Sequence, residues 1–372
     1  MRLLDRLIIR ELLGPFVFGV AAFASIFFAG RDLLKIINDI VKGLPVGVAG
    51  ELIALQLPAI IVMVLPMAVL LATLLAIGRL SSESEIIAIY AGGVSLYRIV
   101  IVVFALGIVV SALGFILNEN VVPAATARAR EMRTRLLKEH VALAKPIPFA
   151  DIKNGVTNSI VYVQGGIDPA SRSLRDVTVI LFRDNAPRLF FRAKTARYEG
   201  EKNGDYVWRL REGYSESLLQ ERPPPEGDLV GTNRFSSMGI AVSLRHTPEE
   251  IEAYQKRAEE LSFSQLLRHI RKLHSIGAPT REEELDLYNK LALPVSAFVF
   301  AVLASSLGLR SHRGGSSVGL GLSVLIIFLY WIVWHFTSAL AKNGTMPPVL
   351  GSFAAVLLAL TAGVVLLRKA AR

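Results

Sequence analysis

The chain has 372 residues, of which 52% are hydrophobic and 19% are charged, and its formal net charge is +10. A typical globular chain has about 25% charged residues, whereas here the charges crowd the middle third and both ends are long apolar runs. The absence of cysteine from the sequence excludes disulfides, thiolate metal sites and cysteine nucleophiles. No basic-aromatic motif accompanies the positive charge, so we expect no nucleic-acid partner.

Six segments lack Asp, Glu, Lys and Arg over a length that can cross a bilayer, whose hydrocarbon core needs roughly 20 helical residues. They are Leu12–Gly30, Leu52–Gly78, Ile99–Asn118, Leu291–Leu309, Gly314–Ala341 and Asn343–Leu367. The first is too long for the apolar part of a cleavable signal peptide and has no cleavage site. The last two are divided by a turn between Ala341 and Pro348. The sequence therefore predicts an α-helical integral membrane protein with six transmembrane helices.

The short loops between these segments carry unequal positive charge, which orients a membrane protein. One side carries Arg2, Arg6, Arg10, Arg79, Arg98, Arg310, Arg313, Arg368, Lys369 and Arg372, and the other carries Arg31, Lys35, Lys42 and Lys342. Ten basic residues against four predict that both termini lie in the cytoplasm. The long polar insert, Glu119–Lys290, then lies on the opposite side of the membrane.

The first cytoplasmic loop, about residues 79–95, predicts a short amphipathic helix that lies along the membrane surface. Either Ser81 or Ser82 is expected to cap this helix. The carboxylates of Glu83 and Glu85 favour its positive end, and Gly92-Gly93 is expected to stop it. Acidic residues are unusual where the loop pattern favours bases. They suggest a basic protein partner, although an ordinary interfacial helix is the alternative.

Three cations are expected at one depth, near the outer membrane surface. Arg31 and Lys35 stand four residues apart just beyond the first span, so they share a helix face, and Lys290 opens the fourth span. Together they could hold a phosphorylated headgroup, or each could reach ordinary lipid phosphates separately. The spacing of the residues does not decide between these possibilities.

The insert has the pattern of an all-β domain, with short β-rich runs between turn signals such as Gly165-Gly166, Asp184-Asn185 and Asn203-Gly204. The runs are Ser159–Val163, Val177–Phe182, Arg188–Tyr198, Tyr206–Leu210 and Ile240–Leu244. Periodicity does not choose among a sandwich, a jelly roll and an open barrel. Helix-start signals follow at Thr247–Glu250, Ser262–Gln265 and Thr280–Glu283, and Gly277 with Pro279 is expected to end the second helix.

These signals divide the chain into predicted regions. The first three spans occupy residues 1–120, the β domain 121–246, linking helices 247–287 and the last three spans 288–372.

The sequence contains no convincing catalytic or nucleotide-binding motif. The sequence has no nucleotide-binding loop, and its one G-x-S-x-G match, Gly315–Gly319, lacks the preceding strand of a nucleophile elbow. His335 is an ionisable group inside an apolar run and hence a functional candidate, although Trp331 and Trp334 beside it favour an interfacial anchor. We expect no enzymatic activity, metal or cofactor in this chain.

Four stretches resemble the lipopolysaccharide-export permeases, the LptF/LptG family. They are Leu3-Leu4-Asp5-Arg6-Leu7 with Glu11, Ser82–Ile86 continuing to Ala91-Gly92-Gly93, Asn118–Pro123, and Tyr288-Asn289-Lys290 leading to Leu293-Pro294. Their order and spacing along nearly the whole chain carry the resemblance. They do not distinguish the F-type from the G-type.

The resemblance implies a bacterial inner-membrane protein with three spans on each side of a periplasmic β-jellyroll. It also implies a second permease subunit, identical or homologous, and a cytoplasmic ATPase dimer that uses ATP and Mg²⁺. Lipopolysaccharide would pass from the membrane to periplasmic β-jellyroll bridge proteins. By position, Glu83, Ser84, Glu85, Gly92 and Gly93 would engage the ATPase, and the phosphorylated lipid would meet Arg31, Lys35 and Lys290.

Other classes of protein remain open at this point. A lipoprotein-releasing or drug-efflux permease usually has its large domain after the first span, whereas here the insert follows the third. A membrane-bound hydrolase or transferase needs converging acid, base or metal residues, which the sequence does not show. A structural scaffold with a β domain that binds neighbours would not co-purify with an ATPase.

Overall fold

The computed structural model describes residues 2–137, 147–153, 156–165, 167–168, 171, 173–183, 186–202, 205–217, 232–235, 240–244, 258–275, 280–309 and 316–370. The chain divides into two compact units. The helical unit comprises Met1–Met132, Ala258–Phe263 and Arg281–Arg372, and the sheet unit comprises Arg133–Arg257 and Ser264–Thr280.

Ten helices are numbered here in chain order among the described residues. They are α1 (Arg2–Phe27), α2 (Leu33–Val41), α3 (Val46–Ser82), α4 (Glu85–Ala91), α5 (Leu96–Ile116), α6 (Val122–Leu137), α7 (Phe263–Ser275), α8 (Arg281–Gly308), α9 (Ser316–Lys342) and α10 (Pro348–Ala370). A π-helical turn, Phe28–Asp32, joins α1 to α2, and another, Leu117–Val121, joins α5 to α6. A short 3₁₀ turn lies at Ala258–Glu260.

Six helical segments are long and apolar enough to cross a membrane, which confirms the predicted number of spans. They are Leu4–Val41, Val46–Ser82, Tyr97–Arg133, Arg281–Gly308, Val318–Lys342 and Pro348–Lys369. Most extend well beyond the apolar runs, because a helix can continue its backbone hydrogen bonds into polar sequence outside the hydrocarbon. Three of them precede the strands in chain order and three follow.

Helices α3 and α8 are the most buried of the six spans, whereas the first span and α9 are the least. Leu70 and Leu74 of α3 form a buried cluster with Phe300 and Ala304 of α8. Small residues allow the close approach of helix backbones in hydrocarbon. Gly308 fits this rule, since a Cβ there would lie 2.9 Å from Ile77 Cβ. The exposed apolar faces of the first span and α9 leave surface for lipid or another protein.

The sheet unit contains one antiparallel sheet of eight described strands. The strands are β1 (Ile147–Lys153), β2 (Val156–Val163), β3 (Ile167–Asp168), β4 (Ser173–Arg183), β5 (Ala186–Lys202), β6 (Asp205–Ser217), β7 (Thr232–Phe235) and β8 (Ile240–Leu244). Their order is β1-β2-β4-β5-β6-β7, while β3 pairs with β4 and β8 pairs with β6. All five predicted β runs are strands, whereas β1, β3 and β7 were not predicted. The jelly roll remains a prediction.

One face of the sheet forms its hydrophobic core. Val163, Val177 and Ala193 lie side by side on β2, β4 and β5, and all three are buried. Trp208 of β6 is fully buried and contacts the ring of Tyr198 at a centroid distance of 5.3 Å. Leu273 of α7 joins this core. The apolar residues whose alternation predicted the strands are therefore the residues that face the core.

The linking segments differ from the predicted region boundaries. Residues 122–137 form α6 and the described strands begin at Ile147, whereas α8 begins at Arg281 and continues into the fourth span. Helices α7 and α8 begin directly after Ser262 and Thr280, as their capping signals predicted. The predicted helix start at 247–250 and the stop at Gly277 and Pro279 lie outside the described residues, as do the turns at Gly166, Asp184-Asn185 and Asn203-Gly204.

Replacement of Gly107 by alanine should destabilise the helical unit. A Cβ there would lie 2.8 Å from Ala301 Cβ and 3.1 Å from the Cα of Phe298, so α5 and α8 must separate. Overpacking of this kind costs about 1–3 kcal/mol, and we expect a lower apparent Tm in detergent. Gly321→Ala is the matched control, since nothing lies within 4 Å of its added Cβ. Equal Tm values for the two variants would contradict this packing.

Candidate functional site

The predicted coupling segment consists of the end of α3, a turn and the short helix α4, rather than one helix over residues 79–95. Helix α3 continues to Ser82, a turn follows at Glu83 and Ser84, and α4 occupies only Glu85–Ala91. The predicted cap at Ser81 or Ser82 is therefore wrong. Ser82 Oγ instead donates to the Arg79 carbonyl at 2.9 Å, within the last turn of α3.

The two ends of α4 are set by backbone conformation. Ser84 has the left-handed φ of 61° and its side chain makes no capping hydrogen bond. Gly92 follows the last residue of α4, and Gly93 has a φ of 83°, a conformation in which glycine avoids the strain of a side chain. The predicted glycine stop is confirmed.

The predicted ATPase-binding residues lie at the two ends of α4. Glu83, Ser84, Gly92 and Gly93 are exposed and Glu85 is half-buried. The large apolar side chains of Ile87 and Tyr90, exposed by 55% and 63%, lie beside them. The surface therefore offers carboxylates and apolar contacts together. Ile87 and Tyr90 were not predicted as part of it, although both are large apolar residues in the same amphipathic stretch.

The opposite side of α4 faces the hydrophobic core of the helical unit. Ile86 belongs to the same buried cluster as Ile8 and Leu12 of α1 and Ile99 of α5. Burial of such side chains contributes about 1.5–3 kcal/mol each in water. Helix α4 thus packs beside α3 and buries Ile86 in the same core as the first span.

Two ion pairs join the first span to the helices on either side of α4. Arg98 Nη2, near the start of α5, donates to Asp5 Oδ2 at 2.6 Å. Arg79, near the end of α3, pairs with Glu11. The sequence placed Asp5 and Glu11 in a family-like stretch but gave no partner for either, because both pairs join residues more than sixty positions apart in the chain.

The predicted lipid-binding cations of the first span are both paired with carboxylates. Arg31 lies in the π-helical turn, and its Nη2 is 3.3 Å from Oε1 of Glu259. Lys35 Nζ is 3.2 Å from Oδ1 of Asp32, one turn earlier in the helix. Turns of π-helix are frequent at functional sites because the extra residue redirects the neighbouring side chains.

The third cation, Lys290 of α8, is buried, with only 8% of its surface exposed. The carboxylates whose charges act on it are those of Asp286, Glu119 and Glu259. Asn118 in the second π-helical turn donates to the Lys290 carbonyl at 3.3 Å, which ties the third span to the fourth. The structure thus pairs Arg31 with Glu259 and Lys35 with Asp32.

The carboxylates around these cations were missed by the sequence reasoning. Glu119 is notable because its Oε2 accepts a hydrogen bond from the backbone N–H of Phe263 at 2.6 Å. A carboxylate at the first residue of α7 also favours the positive end of the helix. The acidic residues at 119 and 259–260 are visible in the sequence, but 140 residues separate Glu119 from Glu259.

His335 packs with the aromatic side chains that were expected around it. Its ring centroid is 5.2 Å from that of Trp331 and 4.9 Å from that of Trp334. Nδ1 is 2.9 Å from the Trp331 carbonyl oxygen, and since a carbonyl only accepts, Nδ1 carries a proton. The contacts fit an interfacial anchor, and that role stays a prediction. Within the described residues no cluster of three or more His, Asp or Glu side chains is placed to hold a metal ion.

Six apolar helices, a polar sheet unit and ionic clusters near the helix ends define a multi-pass membrane protein. The family model described as "Lipopolysaccharide export system permease LptF/LptG" matches residues 6–369. The chain therefore belongs to the LptF/LptG permease family, and the resemblance seen in the sequence is confirmed.

Curated relatives agree with this family assignment. The chain is 27% identical over 305 residues to the lipopolysaccharide export system permease protein LptG of Haemophilus influenzae, covering 80% of this chain and 79% of the relative. It is 24% identical over 308 residues to the protein of the same name from Escherichia coli K12, covering 82% and 81%. Both relatives are named as transport proteins rather than as enzymes.

The Asp5–Arg98 pair should stabilise the attachment of α1, and a charge-swap experiment can measure this. Arg98→Glu places like charges together and should lower the apparent Tm in detergent. Asp5→Arg in the same chain should restore most of the loss, with a coupling energy on the order of 1 kcal/mol. Lys194→Glu, which opposes the well exposed Glu212, is the control and should change the Tm little. Absence of rescue by the double change would refute the pair.

Proposed function

We propose that this chain is a permease subunit of an ATP-driven transporter that extracts lipopolysaccharide from the inner membrane and passes it to a periplasmic bridge. The observation that carries the proposal is the family match over residues 6–369. The cluster of Arg31, Lys290 and their carboxylates supports it, since cations near the membrane surface suit a phosphorylated lipid. No metal or cofactor is proposed for this chain.

The proposed orientation has both termini in the cytoplasm and the sheet unit in the periplasm. The excess of Lys and Arg in the short loops on the terminal side supports it. In this orientation Glu83 and Glu85 meet a cytoplasmic ATPase dimer, and Arg31 lies near the outer surface of the membrane. The sheet unit is proposed to be the β-jellyroll that contacts bridge proteins of similar fold.

The work of extraction requires an external source of energy. Removal of acyl chains from hydrocarbon costs about 0.8 kcal/mol per CH₂, and the sequence has no nucleotide-binding loop. We therefore assign ATP hydrolysis, with Mg²⁺, to the partner ATPase. Closure of that partner would move α4 and the α3 that α4 packs on, and α3 and α5 would move α1 through their ion pairs with Glu11 and Asp5.

The first span is a suitable element to transmit this motion. It is helical from Leu4 to Val41, so its inner end carries Asp5 and Glu11 and its outer end carries Arg31 and Lys35. A push at α4 would thus reach the cations that are proposed to hold the lipid phosphates. The exposed apolar surfaces of the first span and α9 are proposed to face the second permease subunit and the lipid between the two.

The alternative proposals make different demands. A lipoprotein-releasing or efflux permease would also use an ATPase but would not require phosphate-binding cations at the outer surface. A scaffold would require no ATPase at all. Affinity purification in mild detergent, followed by protein and lipid identification, separates the three.

The proposed orientation predicts the labelling pattern of single cysteines. Because the chain has no cysteine, each introduced thiol is the only one in the protein. A membrane-impermeant maleimide added to intact spheroplasts should label Lys194→Cys on the sheet and leave Glu83→Cys unlabelled until the membrane is opened. The reverse pattern would contradict the orientation and with it the export role.

Reversal of the charge at Glu85 should uncouple ATP hydrolysis from export. Glu85→Arg should leave the apparent Tm unchanged, because the side chain is only half-buried. The new positive charge should repel the basic surface of the proposed partner. We expect lipopolysaccharide transport per ATP hydrolysed to fall about tenfold or more, as loss of 1.4 kcal/mol of partner affinity would give. Glu212→Arg on the sheet is the control for the same chemical change. Unaltered transport by Glu85→Arg would remove the coupling assignment.

A further inference from the structure

Arg31, one of the cations of the proposed lipid site, is already paired with a carboxylate of the protein itself. Arg31 pairs with Glu259 at 3.3 Å, and their side chains are 52% and 66% exposed. A lipid phosphate that binds Arg31 must therefore replace or share this carboxylate. The exchange is between two anions rather than between an anion and water.

Glu259 is held in position by contacts that do not involve Arg31. Its backbone carbonyl accepts a hydrogen bond from Thr126 Oγ1 at 3.2 Å. The adjacent Glu260 pairs with Arg130 at 2.7 Å, and the N–H of Phe263 donates to Glu119 at 2.6 Å. The segment Ala258–Phe263 thus presents the Glu259 side chain to Arg31 from a backbone that other residues fix.

We propose that Glu259 is a specificity-determining residue. It competes with lipid phosphates for Arg31, so that a phosphomonoester displaces it and a phosphodiester does not. This inference rests on the proposed function, since it takes Arg31 to be part of the lipid site. A carboxylate and a phosphodiester each carry one negative charge, so the diester gains nothing by displacing Glu259. A phosphomonoester carries about 1.5 to 2 negative charges at neutral pH and offers three acceptor oxygens.

Replacement of Glu259 by a phosphomonoester should cost little free energy, because the Arg31–Glu259 pair is exposed to solvent. Exposed ion pairs contribute about 0–1 kcal/mol, so Glu259 is not bound tightly to Arg31. Because the Glu259 side chain is 66% exposed, the displaced carboxylate can be solvated by water. The abundant phosphodiester lipids of a membrane would be disfavoured by competition, without a steric filter.

The test compares two probes that differ only in the phosphate. The purified full-length chain in detergent is titrated with phosphatidic acid, a phosphomonoester, and with phosphatidylglycerol of the same acyl chains, a phosphodiester, at pH 8. We expect the unaltered protein to prefer phosphatidic acid by about three- to fivefold, the scale of an exposed ion pair. Glu259→Gln should strengthen phosphatidylglycerol binding and reduce the preference to less than about twofold.

Two further variants complete the test. Glu51→Gln breaks a similar exposed pair, Glu51 with Arg128 at 3.0 Å, and should leave the preference unchanged. An unaltered preference in Glu259→Gln overturns the inference, as does the same loss in Glu51→Gln. Arg31→Gln tests the proposed function separately: weaker binding of phosphatidic acid supports Arg31 as part of the lipid site. Binding of both probes at full strength by Arg31→Gln would overturn both the lipid-site assignment and the inference built on it.

Discussion

Hydrocarbon contains no water to satisfy polar groups, and this constraint organises the whole helical unit. Each spanning segment must close its backbone hydrogen bonds within itself, so the chain forms long helices, and many charged side chains gather near the helix ends. Near one end lie the pairs of Asp5 with Arg98 and of Glu11 with Arg79. Near the other end of the first span lies the pair of Arg31 with Glu259. Both candidate sites follow from this exclusion of charge from the membrane interior.

The first span relates the two sites physically. It is helical from Leu4 to Val41, and near its beginning Ile8 and Leu12 share a buried core with Ile86 of α4. Its least buried face is apolar, which suits an element that moves against lipid or a second subunit rather than one fixed in a core. Helices α3 and α8, by contrast, are the most buried spans and approach closely at Gly308. Two buried helices beside a peripheral first span suit the proposed mechanism, in which the first span moves relative to a fixed core.

Local patterns in the sequence predicted much of this fold, and long-range contacts account for what they missed. Apolar length gave the six spans, period-two alternation gave five strands, and the capping residues Ser262 and Thr280 gave two helix starts. The coupling helix is shorter than predicted because α3 continues through the polar residues up to Ser82, and β1, β3 and β7 have weak patterns or are short. Arg31, Lys35 and Lys290 were identified as cations, but their carboxylate partners were not. The Arg31–Glu259 pair joins residues 228 positions apart, which no local pattern can encode.

Reconstituted transport tests the central claim, that this chain moves a phosphorylated lipid out of a membrane with energy from an ATPase. The chain would be placed in proteoliposomes with its co-purified partners and labelled lipopolysaccharide, and transfer to a soluble β-jellyroll acceptor would be followed. The account predicts transfer that requires ATP hydrolysis and falls when Arg31 and Lys290 are both replaced by glutamine. Transfer at the same rate without ATP, or none with every partner present, would contradict it.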